Sequence, residues 1–190
     1  MSTPARPRAD AAKNRERLIA EARRLFSAGD SQASLEAVAQ AAGVGIGTLY
    51  RHFPTKEALV DAVYQRELDA LDRKADELLA SHPSFDAMRH WMDSYARFVA
   101  TKYAMLDALR IALKPRSGTV SEMRSRIGGT VAKFLAAGSR DGSIRDDVRP
   151  DDLTLSLAGA VFATASADPD QIGRVLDLLA AGLRPPGRSR

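Results

Sequence analysis

Between positions 48 and 56 the chain gathers Thr48, Tyr50, Arg51, His52 and Lys56. Hydroxyls, an imidazole and positive charge at that density are donors for phosphate oxygens, and such contacts fix a protein on a nucleic-acid backbone without reading sequence. Just upstream, Gly45, Ile46 and Gly47 bring almost no hydrogen-bonding side chains. The glycines allow the backbone to come close, and Ile46 can meet a thymine methyl by apolar contact. The chemistry on offer is phosphate contact with little direct base reading.

Presenting those groups takes two short helices, and the sequence encodes both. Leu35, Val38, Ala39 and Ala42 recur at three and four residues, one face of a helix. Ser34 precedes them as an N-cap. Gly43 falls where a left-handed residue ends a helix. Val44, Ile46, Leu49 and Phe53 then mark a second helix, with Leu49 and Phe53 turned back towards the first. Ala39 must be small where the helices cross, and Leu49 fills the angle. This is a helix-turn-helix pattern, whose second helix lies in a DNA major groove. The expected DNA-binding set is Ser34, Gly45, Ile46, Gly47, Thr48, Tyr50, Arg51, His52 and Lys56.

The segment AVAQAAGVGIGTLYRHFPTKEALVDAV, residues 37–63, together with the first helix, residues 11–29, resembles the TetR family of bacterial transcriptional regulators. The resemblance rests on the spacing of Ala39, Gly43, Val44, Thr48, Leu49, Tyr50, Phe53, Lys56, Glu57 and Leu59. It covers about a third of the chain, and the remainder matches only as a run of helices of suitable length. Many members carry a hydroxyl side chain where this chain has Gly45, so a base contact by that side chain does not carry over. The resemblance implies a homodimer whose two recognition helices enter successive major grooves.

Rival chemistries fail on their own requirements. A dinucleotide-binding reading of GVGIGT, residues 43–48, needs a third glycine where Thr48 stands and a preceding strand where a helix is expected. His52, His82 and His90 lie far apart in the chain and none forms a helical metal-binding pair. No nucleophile elbow or phosphate loop occurs. The loop GSRDGSIRDDVRPDD carries Asp146, Asp147, Asp151 and Asp152 without the alternating ligands and terminal glutamate of a calcium loop. No catalytic site, cofactor or metal is expected.

Composition agrees with a globular DNA-binding chain of 190 residues. Residues 1–58 carry nine Lys/Arg against six Asp/Glu, and residues 59–190 nineteen against eighteen, so most of the net +4 lies in the smaller N-terminal part. Cysteine is absent, which excludes disulfides and thiol catalysis. No apolar run approaches the ~20 residues that span a bilayer. The expected location is cytoplasmic, nucleoid-associated when on DNA, with no membrane partner.

The expected fold class is all-α, with about nine helices: an N-terminal three-helix helix-turn-helix domain over 1–58, then a C-terminal ligand-binding and dimerisation domain over 59–190. Residues 1–9 read as a disordered arm, followed by a first helix from about Ala11 to Ala28. A long helix from Thr55 to about Ala80 joins the domains. Beyond the break at 81–84, helices are expected from Phe85 to Val99, Tyr103 to Leu113, Val120 to Ala137, Asp152 to Ala165 and Pro169 to Leu183. The aromatic and methionine stripe of Met88, Trp91, Met92, Tyr95, Phe98, Met105, Leu106, Leu109, Met123, Ile127 and Phe134 is the candidate effector pocket. It suits a small, mainly apolar molecule. The penultimate helix is apolar almost all round and needs cover, so Leu155, Gly159, Phe162, Ile172, Val175, Leu176, Leu179 and Leu183 are the candidate dimer interface. The resulting expectation is a homodimeric repressor on a palindromic operator of double-stranded DNA, released by an unidentified effector. A ligand-independent DNA-binding protein explains the N-terminal part but not a C-terminal part twice as large, and an enzyme is the weakest alternative.

Overall fold

The computed structural model describes residues 6–27, 34–109, 117–164 and 169–186, and their side chains except at 6–8, 27, 101–109, 117–121 and 169. The described residues form eight helices and no strand: α1 (Arg6–Ser27), α2 (Leu35–Ala42), α3 (Ile46–His52), α4 (Lys56–Ser81), α5 (Ser84–Leu109), α6 (Ser117–Asp141), α7 (Pro150–Ala163) and α8 (Pro169–Ala181). The chain divides into two compact units, Met1–Glu67 with Thr101–Lys114 and Leu68–Ala100 with Pro115–Arg190.

Three boundaries differ from those expected of the sequence. Helix α1 begins at Arg6, so residues 6–9 are helical and not a disordered arm. Pro7 sits in its first turn, where the missing N–H had no helical partner to lose. Helix α5 runs unbroken to Leu109, merging two expected helices into one. The residues at the expected junction, Ala100, Thr101 and Lys102, include neither glycine nor proline, and nothing there stops a helix. Helix α6 starts three residues early, at Ser117, and ends at Asp141, before Gly142, whose φ of +73° suits glycine.

The first unit packs α1 against α2 and α3. Its core comprises Leu18, Ile19, Ala22 and Phe26 of α1, Val38, Ala39 and Ala42 of α2, Leu49 and Phe53, and Leu59, Val60, Ala62 and Val63 of α4. The start of α4 therefore belongs to this unit, beyond the division expected at 58/59. Arg23 pairs with Glu67 at 2.6 Å and Arg66 pairs with Glu16, fastening α1 to α4.

The second unit is built around Trp91, which is fully buried and donates its indole N–H to the Leu71 carbonyl at 3.2 Å. That bond ties α5 to α4 through a polar atom that would otherwise be stranded in the core. A polar row joins α4 to α6: Arg126 meets Asp69 at 2.8 Å and Asp72 at 2.5 Å, Thr130 donates to Asp72, and Lys133 meets Asp76 at 2.8 Å. After α6 the chain folds Ile144 back beneath Gly138, where a Cβ would overlap the isoleucine side chain. Glycine is required there by close approach. The Arg145 amide then bonds the Leu183 carbonyl at 2.9 Å, holding the end of α8. The aspartates of this loop have local roles: Asp147 pairs with Arg145, and Asp151 and Asp152 lie in the first turn of α7.

Helix α7 packs on α6 and α8 through Leu153, Leu157 and Val161. Its other apolar face is not covered within the subunit: Leu155 is 59 % and Phe162 68 % exposed, and Gly159 between them has open space in front of it. On α8, Leu178 is 74 % exposed. Leu176 and Leu183, expected at a dimer interface, are instead buried inside the subunit and correct that assignment. Leu176 lies on the side of α8 opposite Leu178, which was not among the expected interface residues, and Leu183 follows the end of the helix.

Candidate nucleic-acid interface

The turn between α2 and α3 is set by Gly43, which adopts φ +65°, ψ +37°. Its amide bonds the Gln40 carbonyl and the Val44 amide bonds the Ala39 carbonyl, both at 3.0 Å. These two bonds are the paired helix ending known as a Schellman motif, which relies on a left-handed residue. Ser34 caps the other end of α2, its hydroxyl oxygen accepting from the Ala37 amide at 3.2 Å. That bond leaves the hydroxyl hydrogen to donate to the Glu36 carboxylate. The Glu36 carboxyl is held below its ordinary range by its own backbone amide and by the Ser34 hydroxyl, so the start of α2 carries a firm negative charge.

Helix α3 is short, and its two faces differ sharply. Leu49 is completely buried, while Ile46 and Tyr50 are among the few large apolar or aromatic side chains left exposed. Gly45 and Gly47 face open space, with nothing within 4 Å of the point where a Cβ would stand. Arg51 is exposed and folds along the helix to the Gly47 carbonyl at 3.3 Å, and Thr48 and His52 are both half-buried. Arg51 and His52 also occupy the last turn, where positive charge complements the helix dipole. The outward face thus presents an apolar knob, a phenol and cationic groups on a surface with no side-chain clutter at its start.

Helix α4 opens beside it. Thr55 caps it, its hydroxyl accepting from the Ala58 amide at 3.2 Å. The Glu57 carboxyl is held low by its own amide and the Thr55 hydroxyl. Lys56 is the first helical residue, a place where the dipole disfavours a cation. Its ammonium lies 5.9 Å from the centre of the Phe26 ring, and it is half-buried. The neighbouring Glu57 carboxylate partly offsets that charge.

Two residues absent from the expected set join the same surface. The Arg15 guanidinium lies 5.3 Å from the Phe53 ring centre, and an Arg17 nitrogen stands 3.0 Å from the point where a Cβ on Gly43 would be. Arg23 and Arg24, by contrast, are engaged with Glu67 and Glu21. The sequence places all four on α1, and packing separates the pair near the turn from the pair committed to carboxylates.

The residues expected to line an effector pocket lie in the second unit as far as their side chains are described. Met88, Trp91, Met92, Tyr95, Phe98, Ile127 and Phe134 are buried, with Trp91 stacked on Tyr95 at 5.7 Å and tilted on Phe134 at 5.5 Å. Met123 is half-buried, and the side chains of Met105, Leu106 and Leu109 lie outside the described set. The buried members pack together as one cluster.

Comparison with known proteins decides what this arrangement is. The family described as bacterial regulatory proteins, tetR family, matches residues 18–63, and the C-terminal domain of SbtR-like transcriptional regulators matches residues 83–185. The chain belongs to the TetR family. Among solved structures, a TetR transcriptional regulator from Streptomyces coelicolor is 36 % identical with a TM-score of 0.75, covering 90 % of this chain and 98 % of its own. A TetR transcription regulatory protein from Mycobacterium vanbaalenii is 32 % identical with the same TM-score, covering 94 % and 99 %. An HTH-type transcriptional regulator of Staphylococcus aureus (strain USA300) is 33 % identical over 104 residues, 54 % of this chain. The match spans 56 % of that relative's length. These relatives are transcriptional regulators and not enzymes, and this TetR-family chain is a DNA-binding regulator by fold and by domain content. Among the described residues no helix is long and apolar enough to cross a membrane.

Proposed function

We propose that this TetR-family protein is a homodimeric repressor that holds a palindromic operator and leaves it when a small, mainly apolar molecule binds. The observation that carries the DNA-binding part is the split of α3, with Leu49 buried and Ile46 and Tyr50 exposed beside Arg51. A helix anchored on one side and bare on the other is built to enter a groove. Ser34, Thr48, Tyr50, Arg51, His52 and Lys56 would hold phosphates, joined by Arg15 and Arg17. Gly45, Ile46 and Gly47 would lie nearest the bases.

The dimer part rests on the uncovered apolar face of α7 and α8. Leu155, Gly159 and Phe162, with Leu178 and the flanking Ile172, Val175 and Leu179, would meet the same face of a second copy. An exposed apolar patch of this kind favours association, and a two-fold axis makes one patch suffice for both partners. Release by a ligand requires that the ligand prefer the form that cannot bind DNA, since equal affinity for both shifts nothing. The packed Trp91 cluster would have to open to admit it. Helix α4, with 26 residues and so about 39 Å long at 1.5 Å per residue, would carry the change, because it contributes to both cores.

The test has two parts. Selection of bound duplexes from a random pool should return an inverted repeat, and sedimentation should give a dimer. A monomer that ignores double-stranded DNA in dilute buffer would end this reading. Trp91, the sole tryptophan, reports the effector step: compounds that release operator should also change its fluorescence. Fluorescence unmoved by every releasing compound would take the pocket away from this cluster, in favour of a repressor that senses elsewhere.

A further inference from the structure

His82 and His90 stand on either side of the break between α4 and α5, and the fold brings their imidazoles together, with ring centres 5.2 Å apart and ring planes inclined at 66°. They line an open groove whose other walls are Lys74, Leu78, Asp93, Ser94 and Arg97. The charged groups of this groove are already engaged. Lys74 meets Glu77 at 3.3 Å, Asp93 meets Arg89 at 2.6 Å, and Arg97 donates to Ser94 at 3.0 Å. The two imidazoles are the groups left to bind something.

Proton bookkeeping fixes which nitrogen of His82 is available. The Ser81 hydroxyl oxygen lies 2.7 Å from the Glu77 carbonyl oxygen and 2.8 Å from His82 Nδ1. A carbonyl only accepts, and a hydroxyl has one hydrogen, so that hydrogen goes to Glu77. His82 Nδ1 must then be the donor to Ser81, and the neutral ring keeps its lone pair on Nε2. A hydroxyl or carbonyl partner on the far nitrogen is how metal-ligating histidines are held in the right tautomer.

We propose that His82 and His90 form a two-imidazole chelate for a divalent transition-metal ion such as Zn²⁺, Ni²⁺ or Cu²⁺. A metal about 2.0–2.1 Å from each nitrogen lies about 3.2 Å from each ring centre, so once each ring turns a nitrogen to one point, centres this far apart would subtend close to the tetrahedral angle. Among the described residues no third His, Cys, Asp or Glu completes the set. Water fills the remaining positions, which makes this an open site. Imidazole selects these metals over Mg²⁺ and Ca²⁺, which take oxygen ligands. The bound ion would staple the end of α4 to the start of α5. The inference stands apart from the operator reading, since no group in it belongs to the DNA-binding face.

The tag-free protein carries its own reference, because its three histidines are His52, His82 and His90. Histidine side-chain ¹⁵N NMR during titration with ZnCl₂ should move the His82 and His90 signals at saturable, substoichiometric-to-equimolar metal while His52 stays fixed. CuCl₂ should quench Trp91, the neighbour of His90 in sequence, and MgCl₂ should do neither. His82→Gln and His90→Gln, both at exposed positions, should each weaken Zn²⁺ binding by more than about tenfold, and Ser81→Ala by about tenfold with both ligands retained. Equal movement of all three histidines, or binding indifferent to these substitutions, would overturn the proposal. So would the absence of any shift up to millimolar ZnCl₂ in the wild-type protein, a result that needs no variant to fold.

Discussion

At the scale of single residues, the DNA-binding face depends on one backbone conformation. Gly43 holds the left-handed geometry that ends α2 and sets the start of α3. Any L-residue there meets its own Cβ strain, about 1–2 kcal/mol, and would also press on Arg17. Gly43→Ala is expected to lower stability by about that amount, read from the denaturant midpoint, and to weaken operator binding beyond what the fraction folded explains. A variant as stable as wild type would mean that the turn tolerates a different path. The phosphate contacts are tested separately. Lys56 faces an unfavourable dipole and Tyr50 is exposed, so both are interpretable as anion ligands. Lys56→Ala should reduce the slope of log affinity against log salt by about 1, and should do so on operator and unrelated DNA alike. Tyr50→Phe should weaken both by a similar factor without changing helicity. A salt slope untouched by Lys56→Ala would remove that residue from the interface.

At the scale of helices, the fold is most legible in the sequence where neighbours in the chain are neighbours in space. The α2–turn–α3 geometry needs only a cap, a glycine and two apolar faces, and Ser34, Gly43 and Leu49 announce all of them locally. It is less legible where partners come from distant helices. Leu176 and Leu178 are two residues apart on an apolar helix, and only the position of α7 decides that one is buried and the other bare. The same holds for His82 and His90, separated by a helix break in the sequence and joined by the fold that follows it. The bare face makes a direct prediction. Phe162→Glu and Leu178→Glu place charge where a second copy would bury it, while leaving the subunit core alone. Sedimentation should show monomers with unchanged helicity, as befits loss of an interface anchor of about 2 kcal/mol or more. Persistent dimers in both variants would move the interface elsewhere. The loop after α6 gives a pH prediction. The Ser143 and Ser84 side chains and the Ser143 amide hold the Asp141 carboxyl down to about 2, from an ordinary 3.8. A depressed carboxyl stabilises fully above its unfolded value and loses that contribution as pH falls through the folded one. The stability difference between wild type and Asp141→Asn should therefore be constant near pH 6 and shrink between about pH 4 and pH 2, measured by urea midpoints.

At the scale of the whole molecule, charge and symmetry together dictate how the operator must be built. The excess positive charge of residues 1–58 is small, three of the net four, so one reading head as proposed has little long-range attraction for DNA beyond its own phosphate contacts. With Gly45, Ile46 and Gly47 at the base edge, it has few hydrogen bonds to the bases either. A single head is thus expected to bind weakly, and in the proposed dimer tight binding would come from two heads engaged at once through the α7–α8 face. Two heads related by a two-fold axis address half-sites about 34–36 Å apart, or about one turn of 10–10.5 bp. Inserting about 5 bp between the half-sites turns one of them to the opposite side of the duplex, where the second head cannot follow without twisting the dimer or the DNA. Gel-shift titration should then show affinity falling to that of an isolated half-site, with the steep salt dependence reduced towards that of one head. Inserting a full turn restores the facing but stretches the span, and should recover binding only in part. If the 5-bp and parent operators bound alike, the heads would be acting independently, and the dimer would have no part in operator choice.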